Sequence, residues 1–279
     1  MTDLSPRRAA VLGHPVAHSL SPTLHRAAYA ALGLDDWLYE AVDLEADDLA
    51  EFIASLDESW AGLSLTMPHK QVVLPLLDHV EPLAAVVGAV NTVLISGAGA
   101  SRTLVGANTD VYGLVTALRE GLSGPITSAA VIGAGATAAS TLAALGELGC
   151  PAPIVYVRSM QRAGALMRAA HRMGVSPEFR TLDRAAAEIG RASVVVSTLP
   201  PHAADSLAAA LVVGPGVLLD VAYDPRPTLL QAAWVAGGGV AVGGERMLLH
   251  QAAEQVRLMT GHVPPVAEMD AALESQLTH

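Results

Sequence analysis

The 279-residue chain carries 27 acidic against 16 basic side chains, a net charge of −11 that argues against a nucleic-acid partner, which wants a basic face. Hydrophobic residues make up 52% and charged residues 15%, the balance of a globular chain with enough length for two cores. The single cysteine, Cys150, excludes an internal disulfide framework and fits a reducing cytoplasmic compartment.

Cys150 sits between Gly149 and Pro151 with no basic neighbour, so it reads as a small buried hydrophobe. No apolar run with a basic flank and cleavage site opens the chain. The longest charge-free stretch, 121–146, is broken by Gly124-Pro125 and by Gly133-Ala134-Gly135, which reads as strand, turn and helix and not as a membrane span. A soluble protein is expected, with no membrane partner.

Strand patterns fall at 9–12, 37–42, 62–66, 92–95, 129–132, 154–157, 193–197 and 216–220. Helical patterns fall between them, at 22–32, 110–122, 136–148 and 160–173. This alternation predicts an α/β fold with mostly parallel sheets. The loop 121–128 is the nearest thing to a connector, and no repeat of solenoid period appears. Two closely packed α/β domains with a ligand cleft between them are expected: an N-terminal substrate domain over 1–109 and a Rossmann-type nucleotide domain over 110–245. Two final helices follow from about Glu245. Periodicity alone leaves open whether 246–279 returns to the first domain.

Three polar clusters stand at strand ends in the first domain. Gly13-His14-Pro15-Val16-Ala17-His18-Ser19-Leu20-Ser21-Pro22, with His25 after it, offers the Ser19 and Ser21 hydroxyls as a grip for a carboxylate or polyol. Three histidines suggest zinc, but Pro15 and Pro22 break any helix that could align them, and no cysteine or acid completes a ligand set, so no metal is expected. The second cluster, Gly62-Leu63-Ser64-Leu65-Thr66-Met67-Pro68-His69-Lys70, places Lys70 in the first turn of a helix opened by Pro68. A lysine is disfavoured at that positive helix end, and such a misfit hints at function, although a solvated surface lysine remains the plainer reading of this segment alone. The third is Gly88-Ala89-Val90-Asn91-Thr92 with Gly106-Ala107-Asn108-Thr109-Asp110, where Asp110 on its own reads as an acid favoured at a helix start.

The sharpest local signal is Ala130-Val131-Ile132-Gly133-Ala134-Gly135-Ala136-Thr137-Ala138, a G-x-G-x-x-A turn between a strand and an Ala-rich helix. Gly133 permits the tight turn, Gly135 lets backbone approach a pyrophosphate, and Ala138 lets helix pack on strand. The free amides of the helix start then receive the diphosphate. An ordinary tight turn is the competing reading. At the end of the next strand stand Arg158, Ser159 and Arg162 where an NAD-binding chain usually has an acid, so NADP is favoured over NAD. Ala136, Thr137 and Thr198 join this candidate cofactor set.

Together the clusters resemble the shikimate dehydrogenase family over nearly the whole chain. Its patterns G-x-P-x-x-H-S-x-S-P-x-x-H-N, N-V-T-x-P-x-K, G-A-x-N-T and N-T-D-x-x-G, and the Gly-rich turn, occur in order. They are followed by D-x-x-Y-x-P-x-x-T-x-L at 220–230 and M-L-x-x-Q-A at 247–252. Arg26 replaces the usual Asn, Ser64 and Leu65 replace Asn and Val, Val157 replaces Asn, and Gly243 stands where an acid is common. None of these removes a residue that the chemistry requires.

The resemblance implies reversible NADPH-dependent reduction of 3-dehydroshikimate to shikimate, in the shikimate pathway of aromatic amino-acid biosynthesis. It implies Lys70 and Asp110 as the catalytic pair. Substrate would be held by Ser19, Ser21, Thr66, Asn91, Tyr223 and Gln251, and Gln251, well past the nucleotide turn, implies that 246–279 returns to the first domain. A small-molecule substrate and a monomeric or homodimeric state are expected. A quinate/shikimate dehydrogenase using NAD is the nearest alternative, opposed on the cofactor by Arg158. A non-catalytic sensor of pathway ligands is opposed by the presence of both Lys70 and Asp110.

Overall fold

The computed structural model describes residues 6–97, 99–212 and 214–278. It is a mixed α/β protein with two six-stranded sheets. The chain divides into two compact units, one comprising 1–109 with 249–279, the other 110–248.

The first unit runs β1 (Arg7–Gly13), α1 (Ser21–Ala31), β2 (Trp37–Asp43), α2 (Leu49–Ser55), β3 (Trp60–Leu65), α3 (His69–Val72), β4 (His79–Val80), α4 (Pro82–Val87), β5 (Thr92–Ser96) and β6 (Thr103–Ala107). Its strands are ordered β2-β1-β3-β5-β6-β4. β1 pairs in parallel with β2 and β3, whereas β5 runs antiparallel to both β3 and β6. Mostly parallel pairing is thus as expected, with β5 the exception: β5 and β6 are joined by a short connection with no room for a crossover helix. Leu12, Leu49, Leu63, Val73, Val90 and Val93 are buried between this sheet and its helices. Pro22 opens α1 at a position where its missing N–H costs nothing, and α4 ends on left-handed Gly88.

The second unit runs α5 (Asp110–Gly121), β7 (Ala129–Ile132), α6 (Ala136–Glu147), β8 (Ile154–Val157), α7 (Gly164–Met173), β9 (Glu178–Thr181), α8 (Ala185–Glu188), β10 (Val194–Ser197), α9 (Asp205–Ala210), β11 (Val217–Asp220), α10 (Leu229–Ala236) and β12 (Val240–Gly243). Every pairing is parallel, in the order β12-β11-β10-β7-β8-β9. That is the Rossmann order, with its reversal between β7 and β10. β7, β10 and β11 are buried along their whole lengths, as strands covered on both faces must be. Beneath α10, fully buried Trp234 donates its indole N–H to Gly216 O at 2.9 Å.

Two helices complete the chain, α11 (Gly244–Thr260) and α12 (Val266–Leu277). The unit boundary falls inside α11: 244–248 belong to the second unit, and 249 onward to the first.

Candidate active site

Strand direction gathers the first unit's polar clusters. β1 and β3 are parallel with Leu12 opposite Leu65, so Gly13 and Thr66 leave the sheet at the same edge. Antiparallel β5 starts there, with Thr92 opposite Ser64, and β6 ends there, with Ala107 opposite Thr92. Four chain segments separated in sequence thus meet along one edge. Backbone hydrogen bonds tie them: His14 N to Met67 O at 3.0 Å, Leu65 N to Asn91 O at 2.8 Å, and Val90 N to Lys70 O at 2.8 Å.

The segment 14–21 is anchored by Asp43 at the end of β2. Its carboxylate bonds His14 Nδ1 at 2.6 Å and accepts from Val16 N at 3.0 Å. The hydrogen bond with Asp43 raises the His14 pKa, and the same bond lowers that of Asp43, though both groups are exposed and screened by water. Ser19 N then bonds Val16 O at 2.9 Å, and Ser21 N donates to Ser19 Oγ at 3.3 Å. Ser19 is half-buried and Ser21 buried.

Lys70 is half-buried in α3. That helix spans only four residues, so its dipole is small and the misfit argument from the helix end weakens. The strand-end position next to Thr66 and Asn91 is what marks this lysine. His69 beside it is buried and donates through Nε2 to Leu44 O at 2.8 Å; burial holds its pKa low.

Asn91 is the centre of a buried knot. Its Nδ2 donates to Thr109 Oγ1 at 2.9 Å and to Gln251 Oε1 at 3.2 Å, the latter 160 residues away. Its Oδ1 accepts from Thr109 N at 2.7 Å and Thr92 Oγ1 at 3.0 Å. Asn91 and Gln251 are therefore direct neighbours within the first unit. Asp110 follows Thr109 as the first residue of α5, only 2% exposed.

In the second unit, Gly133, Arg158 and Thr198 follow the adjacent parallel strands β7, β8 and β10 at their C-terminal edge. Gly133 N donates to Tyr156 O at 3.0 Å and Thr198 Oγ1 to Ile132 O at 2.9 Å. Gly133 has φ +121°, and a Cβ there would run into Thr198 Oγ1. Gly135 caps α6 without any side-chain hydrogen bond, and a Cβ on it would stand in open space. Ala138 is fully buried against the sheet. Free amides at the start of a twelve-residue helix, beside an open cradle, suit a diphosphate. Ala136, Thr137 and Ser159 are half-buried and Arg158 is exposed. Arg162 lies in the turn Met160–Ala163, its side chain outside the described residues.

Tyr223 is half-buried in the second unit, its pKa raised by burial and then by Asp224. Asp220, 2% exposed at the end of β11, accepts from Thr228 Oγ1 at 2.8 Å, and burial pushes its carboxyl up. Thr228 also caps α10 by accepting from Gln231 N. The conspicuous aspartate and threonine of that motif thus join β11 to α10. Among the described residues no group of three or more His, Cys, Asp and Glu could hold a metal.

Gly133→Ala is expected to weaken dinucleotide binding and to lower stability by about 1–3 kcal/mol, because alanine is strained at that φ and meets Thr198. Thermal denaturation with and without NADP checks this, and a variant that matched the parent in both would remove the glycine's special role.

Family models match two stretches of the chain: "Shikimate dehydrogenase substrate binding domain" at residues 11–93 and "Shikimate 5'-dehydrogenase C-terminal domain" at residues 244–274. The shikimate dehydrogenase (NADP(+)) of Methanothermobacter thermautotrophicus is 32% identical over 275 residues, spanning 96% of this chain and 95% of that protein. The crystal structure of Mycobacterium tuberculosis shikimate dehydrogenase is similar at TM-score 0.86 and 39% identity, covering 97% of this chain and 100% of that one. Shikimate 5-dehydrogenase from Thermus thermophilus, solved in complex with NADP(H) and shikimate, is similar at TM-score 0.82 and 34% identity, covering 96% and 99%.

Proposed function

The chain belongs to the shikimate dehydrogenase family, and from that membership we propose which of its residues perform the NADP-dependent interconversion of 3-dehydroshikimate and shikimate. The activity is that of an oxidoreductase of the shikimate pathway. The observation that carries the residue assignment is the Asn91–Thr109–Gln251 knot, which joins three motifs of this chain in one buried cluster adjoining Asp110.

The first unit is the substrate domain and the second the NADP domain. Ser19 and Ser21 take the substrate carboxylate; Thr66, Asn91 and Gln251 take ring hydroxyls, and Tyr223 adds a contact near the carboxylate. When a carbonyl carbon accepts hydride, its oxygen becomes an alkoxide that a placed donor must protonate. Lys70 supplies that proton in reduction and receives it in oxidation, with Asp110 orienting the ammonium. NADP, when bound, supplies the hydride chemistry itself. Gly133, Gly135, Ala136 and Thr137 would hold its diphosphate, Arg158, Ser159 and Arg162 its 2′-phosphate, and Thr198 would border the turn.

The same reading makes this a cytoplasmic enzyme acting as monomer or homodimer without nucleic-acid or membrane partners. Cys150 is buried and unpaired, and among the described residues no helix is long and apolar enough to cross a membrane.

The direct test offers shikimate and quinate, each with NADP and with NAD, and follows the absorbance of reduced nicotinamide. Turnover of shikimate with NADP is expected to dominate; turnover only with quinate and NAD would overturn the assignment. Replacing Ser19 or Ser21 with Ala should weaken shikimate binding by about 1–3 kcal/mol, the scale of a hydrogen bond to a charged carboxylate, and leave the KM for NADP unchanged. Loss of NADP binding with an unchanged KM for shikimate would reverse the domain assignment.

A further inference from the structure

Gln255 stands four residues after Gln251 in α11, is 1% exposed, and has no part in the chemistry assigned above. Its carboxamide is nonetheless hydrogen-bonded on both sides. Oε1 accepts from Ser64 Oγ at 2.9 Å and from His25 Nε2 at 3.2 Å. Nε2 donates to Asn91 O at 3.2 Å and Thr92 Oγ1 at 3.0 Å. Behind Ser64, Tyr39 OH donates to its Oγ at 2.6 Å, and His25 stacks on the Tyr39 ring with centroids 3.9 Å apart.

The direction of these bonds is what matters. A threonine hydroxyl has one hydrogen and can donate or accept. Because Thr92 Oγ1 already accepts from Gln255, its own hydrogen is free to go to Asn91 Oδ1 at 3.0 Å. Asn91 Oδ1 is thereby held toward Thr92 and Thr109 N, and its amide nitrogen toward Thr109 Oγ1 and Gln251. An inverted Asn91 carboxamide would set N–H against the Thr109 N–H. The Gln255 amide is itself fixed, since its nitrogen faces Asn91 O, which can only accept, and this leaves its carbonyl oxygen toward Ser64 and His25. Burial keeps His25 neutral by pushing its pKa down to about 3, and because its Nε2 faces Gln255 Oε1 that nitrogen is the donor.

We propose that Gln255 is a positioning residue for the substrate site: through Asn91 O and the Thr92 hydroxyl it holds in place the Asn91 carboxamide, whose orientation the Thr109 N–H sets, and so the edge of the site beside Gln251. This rests on the reading that Asn91 binds substrate. The chain of control runs from the core outward, from Tyr39 and His25 to Ser64 and Gln255, then to Thr92 and Asn91. It also accounts for Ser64 in place of the usual Asn, because a short hydroxyl is what lets both Tyr39 OH and Gln255 reach the same atom.

The experiment measures kcat, the KM for shikimate, the KM for NADP and the thermal midpoint for Gln255→Met, Thr92→Val and Asn91→Ala, and for each of the first two combined with Asn91→Ala. Methionine keeps the length of glutamine without its hydrogen bonds, and Thr92→Val breaks the same relay should Gln255→Met fail to fold. Gln255→Met and Thr92→Val are each expected to raise the KM for shikimate about tenfold, the scale of one lost hydrogen bond, with a smaller change in kcat and none in the KM for NADP. On top of Asn91→Ala they should add almost nothing, because the group they act through is gone. A lowered thermal midpoint with an unchanged KM would make the network structural only. Effects that multiply in full with Asn91→Ala would overturn the relay through Asn91. If Asn91→Ala leaves the KM for shikimate unchanged, the substrate-site reading fails first and takes this proposal with it.

Discussion

Lys70→Ala is expected to lower turnover by about 100-fold or more, the usual scale for removing a general acid–base group. The strand-end geometry motivates this. Lys70 lies four residues beyond Thr66, and its carbonyl accepts from Val90 N at 2.8 Å, which holds the turn against the segment carrying Asn91. A half-buried cationic side chain at that edge can reach an oxygen gripped by the neighbouring hydroxyls and amides. Binding energy from the substrate's other groups does not depend on the lysine, so affinity for shikimate should fall far less than kcat. Asp110→Asn should lower kcat in the same direction while keeping the helix start intact. Near-normal turnover in a folded Lys70→Ala variant would take the lysine out of the mechanism.

Arg158→Ala should raise the KM for NADP by about one to two decades and leave that for NAD almost unchanged, since charge-assisted hydrogen bonds contribute on the order of 1.5–3 kcal/mol. Arg158 follows β8 directly, one strand over from the Gly133 turn, where a Rossmann-type site meets the adenine ribose. A guanidinium there is suited to a 2′-phosphate and gains nothing from a free 2′-hydroxyl. It is exposed, so solvent screening draws the expected effect toward the lower end, and Val157 beside it offers no polar support. Catalytic efficiency measured with both cofactors, in parent and variant, decides it. Equal loss with NADP and NAD would show the arginine to be structural.

What could be read in advance follows from where burial is symmetric and where it is not. β7 and β8 run over 129–132 and 154–157, the spans expected, because they are short apolar runs bounded by turn residues. β4, β6, β9 and β12 escaped notice. β4 has two residues, β9 is the polar edge strand Glu178–Thr181, and β6 and β12 carry or adjoin glycines that blur alternation. Nor does alternation carry direction, so the reversal of β5 was invisible, although it is what brings Asn91 to the edge where β1 and β3 end.

Most motif-bearing candidates stood out because each combines an unusual polar type with a strand end, whereas Gln251, inside α11, was legible only from the M-L-x-x-Q-A around it. Gln255 belonged to no pattern and resembled any glutamine on an amphipathic helix; only its buried partners set it apart. Gly243 illustrates the opposite case. The expected acid is missing there, but the Glu245 carboxylate fills the space a Cβ on Gly243 would need, and pairs with Arg226 at 3.4 Å. The negative charge is retained two residues further on.

The division of the chain inside α11 bears on how the protein is made. All six strands of the second unit lie within 110–248, so it can close without the last segment of the chain. The first unit cannot, because 249–279 complete it. Until α11 is in place, Ser64, His25, Thr92 and Asn91 each lack a hydrogen-bond partner that Gln251 or Gln255 supplies. The earliest residues synthesised are thus the last to reach their native surroundings, and a chain truncated before Gln251 would keep every strand of the second unit beside a first unit lacking its closing helices.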